Sequence, residues 1–507
     1  MFIDGRTIPD GTVIETDLAI IGAGAAGITM ARALADTGID IALIESGGFE
    51  FDPATQELTE GASTGVSYPL DTSRLRYFGG STNHWGGWCR PLNAPDFEKR
   101  DWVPWSGWPI SRTDLDPFYV RAAEVCELGA SSFDDPAPWS SQSGNRPLPL
   151  QGGEVETRYF LFSPPTRFGT RYRKDIGTAP RVRTYLHSNV TNIVTDDQAA
   201  EVQSLTIRTL DGKGYEIRPK RCVLATGGIE NARLLLASSH AIPAGLGNGH
   251  GVVGRFFMEH IHVPGQIAFV ALSDSRMFSP YYQDHERIGT GWVRGVFMMS
   301  DDYLRHKKRL GSNMAIYSDH APTIDPVKAA QDPGLAVEPA VSNMIRQTTS
   351  GAPAGAIPMI YGISCATEQA PDPASRITLS REKDALGMPR AELHWTLNAL
   401  DRRSLAGNIR AIARAFGLWG EGRVRIVFDQ GEDWADEEVG WGNHHMGTTR
   451  MSDDPRFGVV DADCRVHGMS NLYVAGSSVF TTGGAVNPTL TLVALALRLA
   501  DHLKAGN

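Results

Sequence analysis

A glycine-rich turn near the N-terminus is the first segment whose residue types and spacing could do chemistry. It reads AIIGAGAAG, with Gly22, Gly24 and Gly27, and Glu45 ends the next apolar run. In a strand-turn-helix unit, one glycine makes the tight turn, one lets the backbone approach a pyrophosphate, and one lets the helix pack on the strand. An acid about 20 residues further on accepts hydrogen bonds from a ribose hydroxyl. The segment predicts a dinucleotide site and does not by itself separate FAD from NAD.

A second glycine segment lies near the middle of the chain. Ala225, Thr226 and Gly227 end the apolar run RCVLATGG, and an amphipathic stretch follows. Alone, this segment is equally typical of an ordinary loop. An A-T-G-G strand end also resembles the second FAD signature of large flavoproteins, so together with the N-terminal turn it favours FAD.

Three further segments contain groups able to hold or move a proton. FGGSTNHWGGWCRPL contains His84, NHHMGTTRM contains His444 and His445, and Asn487-Pro488 precedes a long apolar stretch at the end of the chain. A neutral imidazole, with an ordinary pKa of about 6.5, is a suitable general base near neutral pH. An asparagine amide cannot take up a proton there, but it can hold a substrate oxygen.

Together these segments resemble the glucose-methanol-choline (GMC) oxidoreductases, and most closely the branch of pyranose 2-oxidase and the bacterial sugar dehydrogenases. The resemblance rests on the G-G-S loop followed by histidine and tryptophan, on H-x-x-G-T-x-R-M, and on the Asn-Pro pair. It continues in GRFFMEH at 254–260 and in the E-x-x-P-x-P-x-S-R run at 368–376. It spans most of the chain and is vaguest in the centre.

The resemblance implies roles for individual residues. His444, three residues before Gly447, matches the family's catalytic base, and Asn487 matches the residue that holds the substrate oxygen. His445 is expected to be a hydrogen-bonded core residue. His84 matches the histidine that bonds covalently to flavin in pyranose 2-oxidase, which makes it a candidate for a covalent link; noncovalent relatives keep this residue, and packing beside Trp85 is the alternative. The predicted FAD-binding residues are Gly22, Gly24, Gly27, Glu45, Gly80, Ser81, His84, Trp85, Val190, Ala225, Thr226, Gly227, Gly476, Asn487, Pro488 and Thr489.

The activity implied by the resemblance is oxidation of a secondary hydroxyl of a sugar, glycoside or cyclic polyol to a ketone, by proton removal and hydride transfer to flavin. The electron acceptor is oxygen, a quinone or a redox protein. Three alternatives stay open: a lyase on the same scaffold with a redox-silent flavin, oxidation of a non-sugar alcohol, and a NAD-binding or regulatory protein. The substrate-selecting residues are expected between about 273 and 342, so the position oxidised on a ring is not predicted.

These motifs must be positioned by an α/β (α+β overall) fold. Three strand-turn-helix patterns, near the start, middle and end of the chain, predict one discontinuous Rossmann-like FAD-binding domain at 1–110, 185–260 and 440–507. The runs PGQIAFVAL, GTGWVRGVFMM and AELHWTLNAL read as strands of an antiparallel sheet. They predict an inserted substrate-binding domain at 111–184 and 261–439, with a lid loop near 323–339.

Composition limits the remaining choices. Glycine makes up 54 of the 507 residues, and the glycine-rich segments above explain part of this excess. The net charge of −10 offers no basic surface for nucleic acid. The five cysteines have no C-x-x-C spacing, so neither an iron-sulfur cluster nor any other metal is expected. The polar N-terminus lacks a signal-peptide pattern, and no run reads as a membrane span. A cytoplasmic location is therefore expected, and export together with a partner subunit stays open as the alternative.

Overall fold

The structure is a computed structural model, and it describes residues 1–129, 133–135, 137–140, 145–263, 267–317, 355–356, 359–428, 434 and 436–506. The predicted lid at 323–339 lies outside the described residues. So does the part of the substrate-selecting segment beyond residue 317.

A largely parallel sheet, with eight strands among the described residues, contains the N-terminal glycine turn. Its centre is Val13–Ile21, whose Leu18–Ile21 half is fully apolar and buried, as expected for a strand covered on both faces. This strand pairs in parallel with Ile41–Ile44 on one side and with Gly214–Leu224 on the other. Across the sheet the order is Phe2–Asp4, Val182–Leu186, Ile41–Ile44, Val13–Ile21, Gly214–Leu224, Val202–Arg208 and Asn189–Thr195, and Leu472–Val474 also pairs with Gly214–Leu224.

The three predicted strand-turn-helix units are present in this layer. Helix Ala25–Leu34 follows strand Val13–Ile21, and helix Gly228–Ala237 follows strand Gly214–Leu224. Helix Thr489–Ala505 ends the chain. The third unit differs from the prediction. Its strand covers only Leu472–Val474 because the chain turns at Gly476, whose φ of 108° is left-handed, into a short 3-10 turn at Ser477–Val479.

A second, antiparallel sheet has nine strands among the described residues. The predicted runs PGQIAFVAL and GTGWVRGVFMM form two of them, Ala268–Leu272 and Gly291–Met299. Two short strands lie off the main path: His260–His262 pairs with Met359–Glu368, and Glu286–Ile288 pairs with Gly291–Met299. The main order is Gly422–Ile426, Ala268–Leu272, Met359–Glu368, Ser312–Tyr317, Gly291–Met299, Val155–Phe162 and Trp88–Cys89.

The prediction for AELHWTLNAL is partly wrong. Its first half belongs to strand Pro389–Trp395, which lies in a separate three-stranded sheet between Arg376–Lys383 and Gly61–Gly65. Its second half starts helix Ala399–Trp419, because the side chain of Asn398 accepts hydrogen bonds from the first backbone N–H groups and Asp401 completes the capping box. The apolar residues alone do not reveal this stop.

The remaining described helices are short, apart from Arg112–Val125, which packs on the terminal helix Thr489–Ala505. None of the described helices combines the length and apolar character required to cross a membrane. The α/β fold class, with a Rossmann-like sheet and an antiparallel sheet, is confirmed; the domain boundaries stay a prediction. These further helices are Pro53–Glu57, Ala94–Phe97, Arg112–Val125, Ala137–Ser140, Phe168–Arg171, Arg173–Thr178, Pro280–Gln283 and Asp301–Lys307.

Candidate active site

A cavity of about 580 Å³ extends from the nucleotide turn of the parallel sheet to strands of the antiparallel sheet. Every predicted site residue except Gly27 lines it, so segments separated by hundreds of residues meet at one place. Its volume lies in the range of ligand pockets, about 300–1,000 Å³. The predicted residues in its wall are Gly22, Gly24, Glu45, Gly80, Ser81, His84, Trp85, Val190, Ala225, Thr226, Gly227, Gly476, His444, Asn487, Pro488 and Thr489.

The three glycines of the N-terminal turn have three different surroundings. Gly22 has a φ of +103°, and a Cβ there would lie 2.5 Å from the carbonyl oxygen of Ala225. A Cβ on Gly27, inside the helix, would lie 1.9 Å from the carbonyl oxygen of Gly22, so only glycine permits this helix-strand approach. A Cβ on Gly24 would meet no protein atom within 4 Å. Gly24 caps helix Ala25–Leu34. Because the first N–H groups of a helix have no partner within the helix, unpaired donors are expected where this helix begins at the cavity.

Glu45 is buried and its carboxylate holds the turn together. One oxygen accepts a hydrogen bond from the backbone N–H of Ala23 at 2.9 Å, and the other accepts from Gly47 N–H at 3.0 Å. A carboxylate has about four acceptor positions, so capacity remains for a ribose hydroxyl. The structure adds a support role to the predicted ligand role of Glu45.

The second glycine segment lines the cavity beside the N-terminal turn. Thr226 donates through both its N–H and its hydroxyl to Oδ1 of Asn231, at 2.9 and 2.6 Å. Gly227, with a φ of 90°, then caps helix Gly228–Ala237. Val190 and Gly476 complete this wall.

The loop that contains His84 also borders the cavity. Its course depends on Gly79 and Gly80, whose φ angles are 102° and 54°. Nε2 of His84 lies 2.9 Å from the hydroxyl of Tyr77, and the indole N–H of Trp85 donates to the carbonyl of Thr166 at 2.9 Å. The imidazole of His84 is therefore held in place at the cavity wall.

His444 and Asn487 form a pair in the part of the cavity near the antiparallel sheet. Nε2 of His444 lies 3.2 Å from the amide nitrogen of Asn487, which can only donate. The preceding residue, Asn443, has a left-handed φ of 59°, a conformation that asparagine tolerates better than most residues. Pro488 and Thr489 follow Asn487 at the N-terminus of the terminal helix, where the helix dipole carries partial positive charge.

Four further residues support this pair, and sequence reasoning missed them as site residues. The carboxyl of Glu259 accepts from the hydroxyl of Tyr68 at 2.6 Å and from the backbone N–H groups of His260 and His444 at 2.8 Å. Nδ1 of His260 lies 2.8 Å from Nδ1 of His444. His262 lines the cavity, and no described residue bonds its Nε2.

A strand register explains how these residues meet. His262 pairs with Gly440 and Met258 pairs with Met446, so residues 258–262 run antiparallel to 440–446, with a register shift of two residues between the two pairs. This places His260 next to His444. His260 and His262, two residues apart on a strand, share one face. The sequence signal for these residues was the H-x-H spacing after GRFFME. Alone, this spacing does not show which other segment of the chain the two histidines face.

Burial dominates the ionisation of these groups. It lowers the pKa of His444 well below its usual 6.5, and the nearby His260, His262 and His445 lower it further. Burial also lowers the pKa of His445 to about 3 and raises the pKa of Glu259 to about 7. His444 is therefore a neutral imidazole near neutral pH. His445 donates from Nε2 to Tyr68, whose single hydroxyl hydrogen goes to Glu259. His445 is buried but also lines the cavity, so its place as a core residue stays a prediction.

Glu259, His260 and His444 each offer an atom that can bind a metal ion, and these atoms lie within 4.8 Å of one another. They are close enough to coordinate the same ion. Hydrogen bonds already link these groups. The prediction that the site holds no metal stays a prediction.

The cavity fits FAD. The fit rests on the helix N-terminus at Gly24, on the space that a Cβ there would fill, and on the close approach of Gly22 to Ala225. The N-termini of two further helices, after Gly227 and after Asn487, lie in the wall of the same cavity. A dinucleotide and a substrate-sized group can thus share one continuous space.

Comparison with known proteins agrees with this geometry. Residues 17–331 match the FAD dependent oxidoreductase family, and residues 371–496 match the GMC oxidoreductase family. A 2-methyl-1,2-propanediol dehydrogenase from Mycolicibacterium austroafricanum is 24% identical over 96% of this chain and 95% of its own. A 6'''-hydroxyparomomycin C oxidase from Streptomyces lividus is 26% identical over 96% of this chain and 92% of its own.

Among solved structures, pyridoxine 4-oxidase from Mesorbium loti has the same fold, with a TM-score of 0.56 at 18% identity over 96% of this chain and 99% of that one. The family matches cover both the nucleotide turn and the segment that contains His444 and Asn487. The chain therefore belongs to the FAD dependent oxidoreductase family, with FAD as its cofactor, and its C-terminal part matches the GMC oxidoreductase family.

Proposed function

We propose that this protein oxidises a secondary hydroxyl group of a sugar, glycoside or cyclic polyol to a ketone. The observation that carries the proposal is the pair formed by Nε2 of His444 and the amide of Asn487, 3.2 Å apart in the wall of the FAD cavity. A base beside a hydrogen-bond donor is the arrangement that an alcohol needs, because its proton must leave while its oxygen is held.

His444 takes the hydroxyl proton at Nε2. It is ready to do so because burial and three neighbouring histidines lower its pKa, which keeps the imidazole unprotonated near neutral pH. The amide of Asn487 donates a hydrogen bond to the substrate oxygen and stabilises the negative charge that develops there. Bound FAD would supply the acceptor for the hydride that leaves the carbon bearing the hydroxyl group.

The surroundings of the pair support the same chemistry. The N-terminus of helix Thr489–Ala505 lies directly after Asn487, and its partial positive charge favours developing negative charge in the cavity. The residues that follow His444, His445 and Met446, are buried. Polar contacts in such surroundings of low dielectric constant are stronger than in water.

The relatives' names bear on the substrate class. One relative is named for a propanediol and another for hydroxyparomomycin, and both names describe oxidation of hydroxyl-bearing compounds by a dehydrogenase or an oxidase. The propanediol name also favours a non-sugar alcohol as a second candidate substrate. Oxygen, a quinone or a redox protein would accept the electrons.

Anaerobic mixing of the holoenzyme with sugars, glycosides, cyclic polyols and 1,2-diols tests the proposal. We expect at least one sugar or polyol to bleach the flavin absorbance and to yield a ketone. In His444→Ala the rate of bleaching should fall about 100-fold or more, with FAD still bound. His394→Ala, an exposed histidine outside the cavity, is the matched control and should keep the wild-type rate. Product formation without bleaching would establish a lyase instead.

The candidate covalent link at His84 has its own test. After acid precipitation, a covalently bound flavin stays with the protein pellet and a noncovalent one goes into the supernatant. If His84 carries the flavin, the pellet of the wild type is yellow and that of His84→Ala is colourless. Yellow supernatant from the wild type contradicts the link.

A further inference from the structure

The carbonyl oxygen of Gly484 determines which nitrogen of His260 carries hydrogen. His260 is 1% exposed, and its Nε2 lies 2.9 Å from this oxygen. A carbonyl oxygen can only accept a hydrogen bond, so Nε2 must carry the hydrogen. Burial also lowers the pKa of His260, which keeps the ring neutral. A neutral ring with hydrogen on Nε2 has a lone pair on Nδ1.

That lone pair in turn determines the hydrogen position on His444. The two Nδ1 atoms are 2.8 Å apart, so one must donate and the other accept. Nδ1 of His260 can only accept, and Nδ1 of His444 therefore carries hydrogen. In the neutral ring of His444, this leaves the lone pair on Nε2, the atom that lies 3.2 Å from the amide of Asn487.

We propose that His260 is a positioning residue that fixes the tautomer of His444, so that Nε2 faces the cavity with a lone pair that can take a proton. The inference rests on the proposed role of His444 as the base. With the opposite tautomer, Nε2 of His444 would carry hydrogen and would meet the N–H of Asn487 instead of accepting from it. The same ring could then take no proton from a substrate hydroxyl.

One chain segment fixes both ends of this hydrogen-bond series. Gly484 provides the carbonyl that orients His260, and Asn487, three residues later, provides the amide that faces His444. Gly484 has a left-handed φ of +57°, and a Cβ there would lie 2.7 Å from the carboxylate of Asp96. Asp96 thus leaves room for glycine alone at the position whose carbonyl points at His260.

The proton balance is simple. The O–H bond of the substrate breaks and its proton moves to Nε2 of His444, which becomes an imidazolium with hydrogen on both nitrogens. Nδ1–H of His444 continues to donate to Nδ1 of His260. In this step the proton stays on His444, and His260 keeps its hydrogen on Nε2 and accepts through Nδ1.

Two variants separate this role from simple packing. His260→Leu removes the acceptor for Nδ1–H of His444, and the limiting rate of flavin reduction should fall about 100-fold, as expected when a base adopts the wrong tautomer. His260→Asn keeps an acceptor, because its Oδ1 can take the place of Nδ1, and should recover most of that rate. The substrate dissociation constant and the flavin content should stay near wild type in both. Wild-type rates in His260→Leu, or equally slow variants, would overturn the proposal.

A second measurement needs no substrate and so separates failure of this inference from failure of the proposed function. In holoenzyme with nitrogen-15-labelled histidine, NMR should show His444, assigned by its absence in His444→Ala, with hydrogen on Nδ1 and none on Nε2. Hydrogen on Nε2 would contradict the proposal even if an alcohol is oxidised. If His260→Leu does not retain FAD, this wild-type spectrum decides the matter.

Discussion

Glu259, a fully buried carboxyl behind the His444–Asn487 pair, governs the pH dependence that we expect. The groups that face it are the hydroxyl of Tyr68, the backbone N–H groups of His260, Gly442 and His444, and Nδ1 of His444 at 3.9 Å. Burial raises its pKa to about 7, whereas the pKa of His444 is lowered well below 6.5. The base is thus neutral near neutral pH, where Glu259 still gains its charge as the pH rises.

The sign of the effect follows from the charge on His444 during turnover. A carboxylate at Glu259 stabilises the imidazolium that forms, so flavin reduction should accelerate as the pH rises through about 7. In Glu259→Gln this rise should disappear and the rate should stay at the low, pH-independent level. Stopped-flow reduction between pH 5.5 and 8.5 measures both. A rise near pH 7 that persists in Glu259→Gln would assign the titration to another group.

The strand-turn-helix element at the N-terminus allows folding and FAD binding to be tested separately. Gly27→Ala places a Cβ 1.9 Å from the carbonyl oxygen of Gly22, so helix and strand must separate, and we expect a cost of at least about 3 kcal/mol in the free energy of unfolding. Gly24→Ala meets no protein atom and should fold normally, but its methyl group enters the cavity wall. Its FAD affinity should fall by about tenfold or more, about 1.4 kcal/mol.

Urea unfolding of the apoprotein and FAD titration distinguish these outcomes. Gly417→Ala, in helix Ala399–Trp419, is the control, because a Cβ there has no neighbour within 4 Å. Equal apoprotein stability of Gly27→Ala and wild type would contradict the packing argument. Unchanged FAD affinity in Gly24→Ala would mean that the cofactor does not approach this residue.

Local patterns predicted the elements that contain complete motifs. The strands and helices around Gly22 and Ala225 follow from apolar runs broken by glycine, and both are present. His444 and Asn487 could be named because each lies in a recognisable segment. His260 and Glu259 could not be placed, because their role depends on the register between residues 258–262 and 440–446, which no local pattern determines. AELHWTLNAL was misread for a related reason: the cap at Asn398 is polar and the apolar pattern runs past it.

At the scale of the whole molecule, the site forms where the two large sheets meet, and a buried ion pair holds that region together. The guanidinium of Arg100 makes two hydrogen bonds to the carboxylate of Glu368, at 3.0 and 2.5 Å, and their side chains are 3% and 0% exposed. Glu368 is the direct cross-strand partner of His260 and also accepts from the N–H of Gly311. The pair therefore joins the segment after helix Ala94–Phe97 to the strand beside the proposed positioning residue.

Removing one partner should be far more costly than removing both. Arg100→Ala leaves Glu368 buried without its cation, and we expect a loss of about 3–5 kcal/mol in the free energy of unfolding at pH 7. Arg100→Met with Glu368→Leu replaces the pair by apolar groups and should recover most of that loss. The lowered pKa of Glu368 means that the pair stabilises the fold above the ordinary glutamate pKa, and that this contribution disappears as the pH falls through the lower folded value. Urea unfolding at pH 7 and pH 4 measures the free energy of unfolding of wild type and of Arg100→Ala. The difference between the two proteins should be smaller at pH 4 than at pH 7. An equal difference at both pH values would contradict a charge-based role.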